Sequence, residues 1–269
     1  MIGIIGQGFV GNAVYQAFKN YFKIYTYDIN SKLCNSTYED VIKNDFIFIC
    51  LPTPMNKDGS CNIDLIENEI SKINCRKKTL IIKSTVIPGT VEKWNNKYSA
   101  NIIFNPEFLT EKNSVNDYKN QNRIILGGEE NILSNVLPFF KTVFPSTKII
   151  ITNSKTAEML KYMTNTFLSI KISFSNEVYK ISECMGIDYN QLVEILKYDE
   201  RIGKTHWQVP GPDGDFGYGG HCFPKDLAAF INLTERKGTI NNVLKAAVLT
   251  NDQVRKNKDW EEMKGRAVT

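Results

Sequence analysis

Histidine is nearly absent from this sequence of 269 residues: there are two, His206 and His221. A histidine-rich metal site is thereby excluded, and general-base chemistry must fall mainly on carboxylates or lysine. The six cysteines (Cys34, Cys50, Cys61, Cys75, Cys184 and Cys222) show no metal-ligand spacing, so no metal is expected. Cys50 lies within the apolar run 46–51 and reads as core. No signal-peptide pattern opens the chain, so the natural expectation is a reducing cytoplasm with all thiols reduced. No apolar run approaches the length of a membrane span. The net charge of +4 is spread along the chain without a basic block. Lysines alternate with asparagines and isoleucines as on a solvated surface, which argues against nucleic acid as a partner.

What is present is a change of texture. A chain of this length can bury a full core and is expected to form two domains. Up to about residue 150, short apolar runs alternate with helical patterns. Strands are expected at 2–5, 22–27, 46–51, 79–83, 101–104, 123–127 and 147–151, and helices near 9–20, 38–43, 64–73, 90–97 and 131–142. That rhythm predicts an α/β fold, a Rossmann-like doubly wound parallel sheet. After Ser154 no proline occurs until well past Gly186, which predicts one long helix over 155–185. Asp188 resembles the cap of a helix at 188–197, and helices near 224–236 and 241–257 follow. The expected domains are thus 1–152, binding a dinucleotide, and 153–269, all-helical.

Gly6, Gly8 and Gly11 complete a G-x-G-x-x-G pattern, with Phe9 and Val10 between the last two glycines. A short apolar strand precedes it and an amphipathic helix follows. A second apolar run ends in Asp28, 17 positions after Gly11 (28 − 11). This context is what the dinucleotide fingerprint requires. The glycines let the backbone approach a pyrophosphate at a helix N-terminus, and the carboxylate accepts the ribose hydroxyls. Asp28 would repel a 2′-phosphate, so NAD is expected rather than NADP.

Near the other end, Phe216-Gly217-Tyr218-Gly219-Gly220-His221-Cys222-Phe223-Pro224-Lys225-Asp226 joins glycines and aromatics to one cysteine, a lysine and an aspartate. Pro224 suits the first turn of a helix, which would put Cys222 at a helix N-terminus. The helix dipole and the Lys225 ammonium both favour thiolate over thiol, whose unperturbed pKa is about 8.5. Cys222 is a candidate covalent nucleophile; a buried cysteine in a glycine-rich turn is the alternative.

Between these ends, Thr53 and the pair Ser84 and Thr85 follow apolar strands, where ligands of open α/β sheets bind; ordinary turns and helix caps would use the same residues. Glu107 and Glu111, four apart after another strand, face the same side if their segment is helical. Glu158, Lys161 and Asn165 lie at i, i+3 and i+7 on the long helix. Lys161 and Asn165 could point two donors into a cleft, but spacing alone favours a solvated helix face.

Assembled, these segments resemble the UDP-glucose/GDP-mannose dehydrogenase family. The matching motifs are 6–11, 52–64, 83–90, 105–111, 157–177 (AEMLKYMTNTFLSIKISFSNE), 199–203 and 216–226. The resemblance implies oxidation of the C6 hydroxyl of a nucleotide sugar, UDP-glucose-like, to a carboxylate, with two NAD per substrate and a thioester on Cys222. It implies that Lys161 and Asn165 stabilise oxyanions and position substrate, and that Asp226, Glu107 and Thr85 organise proton transfer and the hydrolytic water. Thr53, Glu111 and Lys225 match residues near the cofactor, and Ser84 and Thr85, in one turn after the fourth strand, are expected on the cofactor side too. Phe108, Leu109 and Thr110, with the loop Phe216, Gly217, Tyr218, Gly219 and Gly220, match segments that hold the sugar. Arg201 matches an arginine that reaches substrate from the neighbouring subunit, so a homodimer through the long helix is implied.

Three departures stand out. His221 precedes the nucleophile where small or aromatic residues are usual, either lowering the thiol pKa or tolerated at the surface. The connection 204–215 looks longer than the family's. The family also carries a further C-terminal α/β domain that grips the nucleotide, whereas 256–269 is highly charged with no strand pattern to replace it; a separate chain could supply that domain. Two other readings remain open: a two-electron 3-hydroxyacid-type dehydrogenase, and a non-catalytic NAD-binding partner protein.

Overall fold

The computed structural model describes residues 1–73 and 77–269; Cys75 lies outside the described residues. All seven expected strands form. They are β1 (Ile2–Ile5), β2 (Ile24–Tyr27), β3 (Phe46–Ile49), β4 (Thr79–Ile82), β5 (Asn101–Phe104), β6 (Arg123–Gly127) and β7 (Lys148–Thr152). They make one sheet in the order β2-β1-β3-β4-β5-β6-β7. Alternate side chains feed two apolar layers. Ile4, Phe48, Ile81, Ile103 and Leu126 enter one, and Ile5, Ile49, Ile82, Phe104 and Ile125 enter the other. Both faces are covered over the inner strands, so β1 and β3 read as unbroken apolar runs.

The sheet is not wholly parallel as expected. β5 and β6 pair antiparallel through the single register Phe104↔Gly127. The reason lies in the connection, which does not cross the sheet face as a parallel link must. It holds an additional helix, α5 (Ser114–Lys119), packed on α1 (Phe9–Phe18). Asn105 extends this shallow seam, its side-chain amide donating to the Ile125 carbonyl at 2.7 Å. The other helices around the sheet are α2 (Tyr38–Ile42), α3 (Asp64–Lys72), α4 (Thr90–Tyr98) and α6 (Glu130–Val143).

The long helix is α7 (Ser154–Met185), closed by Gly186 at φ +67°, the left-handed cap glycine adopts without strain. No described helix is long and apolar enough to cross a membrane. Then come α8 (Tyr189–Leu196), α9 (Phe223–Arg236) and α10 (Asn242–Val254). Asp188 caps α8 as expected, accepting from Asn190 N and Gln191 N at 2.8 and 3.2 Å. α10 stops short of the expected 257 because Arg255 turns to extended backbone.

The described residues fall into two compact units, 1–53 with 63–161, and 54–62 with 162–269. β7 ends at Thr152, and the two units divide inside α7. In the second unit, segment 54–62 lies along α9. The Asp58 carbonyl accepts from Asn232 at 3.0 Å and its carboxylate meets Arg236 at 3.2 Å. The charged tail is ordered too. Met55 N donates to Ala267 O at 2.8 Å, and Thr269 N to Met55 O at 3.0 Å. The connection 204–215 is anchored by the buried side chains of Trp207 and Val209 against Tyr189 and Val193.

Glu158 corrects one expectation. Spacing favoured a solvated face, yet Glu158, Lys161 and Asn165 are 0, 3 and 7% exposed. The Glu158 carboxylate accepts from Gly89 N at 2.5 Å and Val91 N at 2.8 Å, amides that open α4. Burial pushes the carboxyl from 4.5 up to about 7, against those amides. Between these two values the unfolded chain ionises while the folded protein keeps its proton, so stability falls as pH rises. The fall is about 3 kcal/mol, complete above the folded value. Urea unfolding of Glu158→Gln between pH 4 and 8 should lack that component of the wild-type slope; an unchanged slope would rule out this assignment.

Candidate functional site

The first unit builds a cradle at the end of β1. Gly6 takes φ +90°, and a Cβ on Gly11 would lie 1.9 Å from the Gly6 carbonyl oxygen. Only glycine therefore lets α1 start this close to the strand. Gly8 caps α1, and a Cβ there would meet nothing within 4 Å. The cradle is closed by protein at Gly6 and Gly11 and open at Gly8, with Phe9 and Val10 half-buried in the first turn. Asp28 follows β2. Its carboxylate accepts from Gln7 N at 2.7 Å and Asn30 N at 2.8 Å. A cleft of about 480 Å³ opens beside it, lined by Gly8, Phe9, Lys32, Leu33 and Cys34 among others. The Cys34 thiol contacts the Asp28 backbone, 3.1 Å from its N and 3.2 Å from its O. An open helix N-terminus, a carboxylate at the end of the second strand and a cleft between them fit an adenine dinucleotide. Thr53 follows β3, and Ser84 and Thr85 follow β4; all three are buried.

A buried ion pair lies in the same unit. Lys161 Nζ donates to Glu107 Oε1 at 2.9 Å and to the Glu107 carbonyl at 2.7 Å. Glu107 Oε2 accepts from Leu109 N at 2.8 Å. Burial raises the Glu107 pKa, but the Lys161 ammonium and these hydrogen bonds outweigh it and hold the carboxyl below its ordinary value. The Phe108 ring lies under two cations, Lys161 at 5.4 Å and Arg123 at 5.2 Å from its centroid. Glu107 and Glu111 do not share a side. Pro106 and the Glu107–Leu109 bond keep 105–110 out of a helix, and Glu111 is exposed at the start of a short 3₁₀ turn (Glu111–Asn113). Thr110 is also exposed, its hydroxyl 2.6 Å from Asp117. Lys83, quoted within a motif but given no role, is fully buried and donates to Asn105 Oδ1 at 2.9 Å. Burial lowers its pKa to about 8.

The second unit holds the thiol. Cys222 is the N-cap of α9, with Pro224 in the first turn, as the spacing predicts. Lys225 and Asp226 form a buried pair, Nζ to Oδ1 2.5 Å. The other carboxylate oxygen accepts from Asn165 Nδ2 at 2.6 Å. Burial works against the Lys225 charge, but Asp226, with Cys222 and Cys61 nearby, raises its pKa above the ordinary lysine value. The ammonium lies near the sulfur, and a cation there favours the thiolate. His221 is half-buried. The loop before it is tied down by residues that sequence reasoning missed. Gly217 N donates to Asn176 Oδ1 at 3.1 Å, Tyr218 N to Asn251 Oδ1 at 2.7 Å, and Gly220 N to Asp259 at 3.1 Å. Tyr218 itself is buried with Leu227 and Ala247, while Phe216 packs with Tyr179. Arg201 joins neither buried group; its exposed side chain pairs with Asp199.

Comparison with known proteins decides between related folds. Residues 23–144 match the model of the UDP-glucose/GDP-mannose dehydrogenase family, NAD binding domain, and residues 155–253 match that of its central domain. The chain belongs to this family. The cofactor of the first unit is NAD. UDP-glucose 6-dehydrogenase TuaD of Bacillus subtilis is 31% identical over 223 residues, covering 79% of this chain and 47% of that one. The chain spans about half the length of the curated UDP-glucose 6-dehydrogenases it matches. Among solved structures, a UDP-glucose dehydrogenase from Pyrobaculum islandicum aligns with TM-score 0.84 and 27% identity over 94% of this chain and 68% of that one. A 3-hydroxyisobutyrate dehydrogenase from Mycobacterium tuberculosis shares the fold, with TM-score 0.74 at 16% identity over 94% and 92%.

The glycine geometry yields a paired test in this family member. Gly11→Ala should cost about 3 kcal/mol of stability through backbone overlap. Gly8→Ala should fold as well as wild type yet bind NADH about tenfold more weakly, the loss of roughly 1.4 kcal/mol of contact. Thermal unfolding and fluorescence titration with NADH check both, and equal behaviour of the two variants would contradict the cradle.

Proposed function

We propose that this chain carries out NAD-dependent, four-electron oxidation of the C6 hydroxyl of a nucleotide sugar, UDP-glucose-like, to a uronic acid. The observation that carries this reading is Cys222 at the N-cap of α9 beside the buried Lys225–Asp226 pair. A single oxidation has no use for such a thiol. Oxidation to the acid needs two hydride removals, and a free aldehyde would escape between them. Bound NAD would accept the hydride at each oxidation. The Cys222 thiolate adds to the aldehyde carbon to give a thiohemiacetal, which becomes a thioester on the second oxidation and is released by water.

The other roles in this proposal are those that the family resemblance implies. Lys161 and Asn165 are donors suited to the oxyanions at C6. Glu107, Asp226 and Thr85 handle the proton and the hydrolytic water. Thr53, Ser84, Glu111 and Lys225 serve the cofactor side. Phe108 to Thr110 and Phe216 to Gly220 hold the sugar.

A homodimer is part of the proposal. α7 carries an exposed apolar stripe: Met163 63%, Phe167 60%, Phe174 54%, Ile181 56% and Met185 67% exposed. Phe167, Phe174 and Ile181 are seven apart, the repeat of a helix–helix seam. Arg201, exposed beside Ile202, whose carbonyl accepts from Lys171 of α7 at 3.1 Å, would then serve the partner's substrate. Sedimentation should give twice 30.7 kDa, and Phe167→Glu with Phe174→Glu should give the monomer mass with the fold intact. A wild-type monomer would overturn the dimer.

A second reading is favoured by the near-complete overlap with a 3-hydroxyisobutyrate dehydrogenase fold, 92% of whose chain is covered. NADH formation over UDP-, GDP- and dTDP-sugars separates the two. The proposal expects about two NADH per acid formed and none of the acid from Cys222→Ala. One NADH per substrate, surviving Cys222→Ala, would support the two-electron reading. NAD binding without turnover would support a non-catalytic partner protein.

A further inference from the structure

The loop that delivers Cys222 is held by a buried cation from the C-terminal tail. Arg255 is 4% exposed, and all three of its guanidinium nitrogens donate. Nε donates to Asn257 O at 2.7 Å, Nη1 to Phe216 O at 3.4 Å, and Nη2 to Asp213 Oδ2 at 2.9 Å and Asp259 Oδ1 at 3.0 Å. Asp259 passes the restraint on. Both of its carboxylate oxygens accept from Gly220 N, at 3.2 and 3.1 Å. Gly220 is two residues before the thiol and takes φ +71°, a conformation the loop must hold against its own flexibility. Gly219 leaves no other room. A Cβ there would lie 2.2 Å from Arg255 Nη2 and 2.3 Å from Asp259 Oδ1. The small residues of the cysteine motif thus admit a guanidinium and a carboxylate onto the backbone.

We propose that Arg255 and Asp259 are positioning residues for Cys222, a latch that fixes how the chain enters the N-cap of α9. Neither touches the sulfur. They act by setting the Gly220 peptide, hence the direction of the Cys222 side chain and its alignment with the helix amides that favour thiolate. The latch also engages Asp213 and, through Asn257 N to Asp215 Oδ2 at 3.3 Å, the long connection that precedes the loop. A buried arginine with two carboxylate partners costs more to maintain than an apolar cluster of equal volume, so packing alone does not account for it. The inference rests on Cys222 as the nucleophile, but its test does not need turnover.

The test is the rate of Cys222 carboxamidomethylation by iodoacetamide against pH, read by mass spectrometry of the Cys222 peptide in the full chain. Asp259→Asn keeps the shape and removes the charge. It should slow alkylation about tenfold near neutral pH and move the profile upward. Arg255→Met should do the same, and Arg255→Lys should recover only part, lacking the planar fork. Thermal unfolding accompanies each variant. If Arg255→Met does not fold, Asp259→Asn decides. Folded variants with wild-type alkylation rates and profiles, whatever their melting temperatures, would reduce the pair to a structural role and overturn the proposal. Failure of nucleotide-sugar turnover in the wild type would strike the proposed function but leave the alkylation result standing.

Discussion

Charge taken out of water, and what each such charge meets, is the constraint on which both units depend. In the first, Lys161 meets Glu107, Lys83 meets the neutral Asn105 and the Tyr118 ring, and Glu158 meets two helix-opening amides. In the second, Lys225 meets Asp226 and Arg255 meets Asp213 and Asp259. Apolar replacement of a buried ion pair is often neutral or stabilising, whereas removing one partner strands the other at several times the cost of a surface pair. The buried charges also order the backbone around them, since Glu107 keeps 105–110 extended and Asp259 holds the peptide before the thiol.

Much of this was legible in the residues. Seven apolar runs became seven strands because both sheet faces are covered, which removes the polar alternation that hides a half-exposed strand. The N-cap position of Cys222 was legible because Pro224 marks a first helical turn, and Asp188 announced α8 in the same way. The cradle glycines were legible because their spacing encodes a backbone contact, the Gly11 approach to Gly6.

The rest depended on contacts between distant segments. The reversed β5–β6 pair turns on α5, six mostly polar residues with no apolar stripe to announce them. The burial of Glu158 depends on α4 presenting its amides 67 positions away in sequence, so spacing on α7 read as solvated face. Glu107 and Glu111 looked like a helical pair until Pro106 and a side-chain bond to Leu109 kept the chain extended. Arg255 and Asp259 sit in a charge-rich segment that reads as surface, and nothing local reveals that their loop partners are 39 to 42 positions earlier.

Cys34 carries a practical consequence for the chemistry of this protein. Its sulfur sits on the backbone of Asp28 and lines the cleft beside Gly8, so a thiol reagent has a target in the first unit as well as at Cys222. Inactivation by such a reagent would not by itself identify the nucleophile. Bulk added at Cys34 would fill the cleft beside Gly8, so it could block cofactor binding and leave Cys222 untouched. Protection by NADH in one case and by a sugar ligand in the other tells the two sulfurs apart.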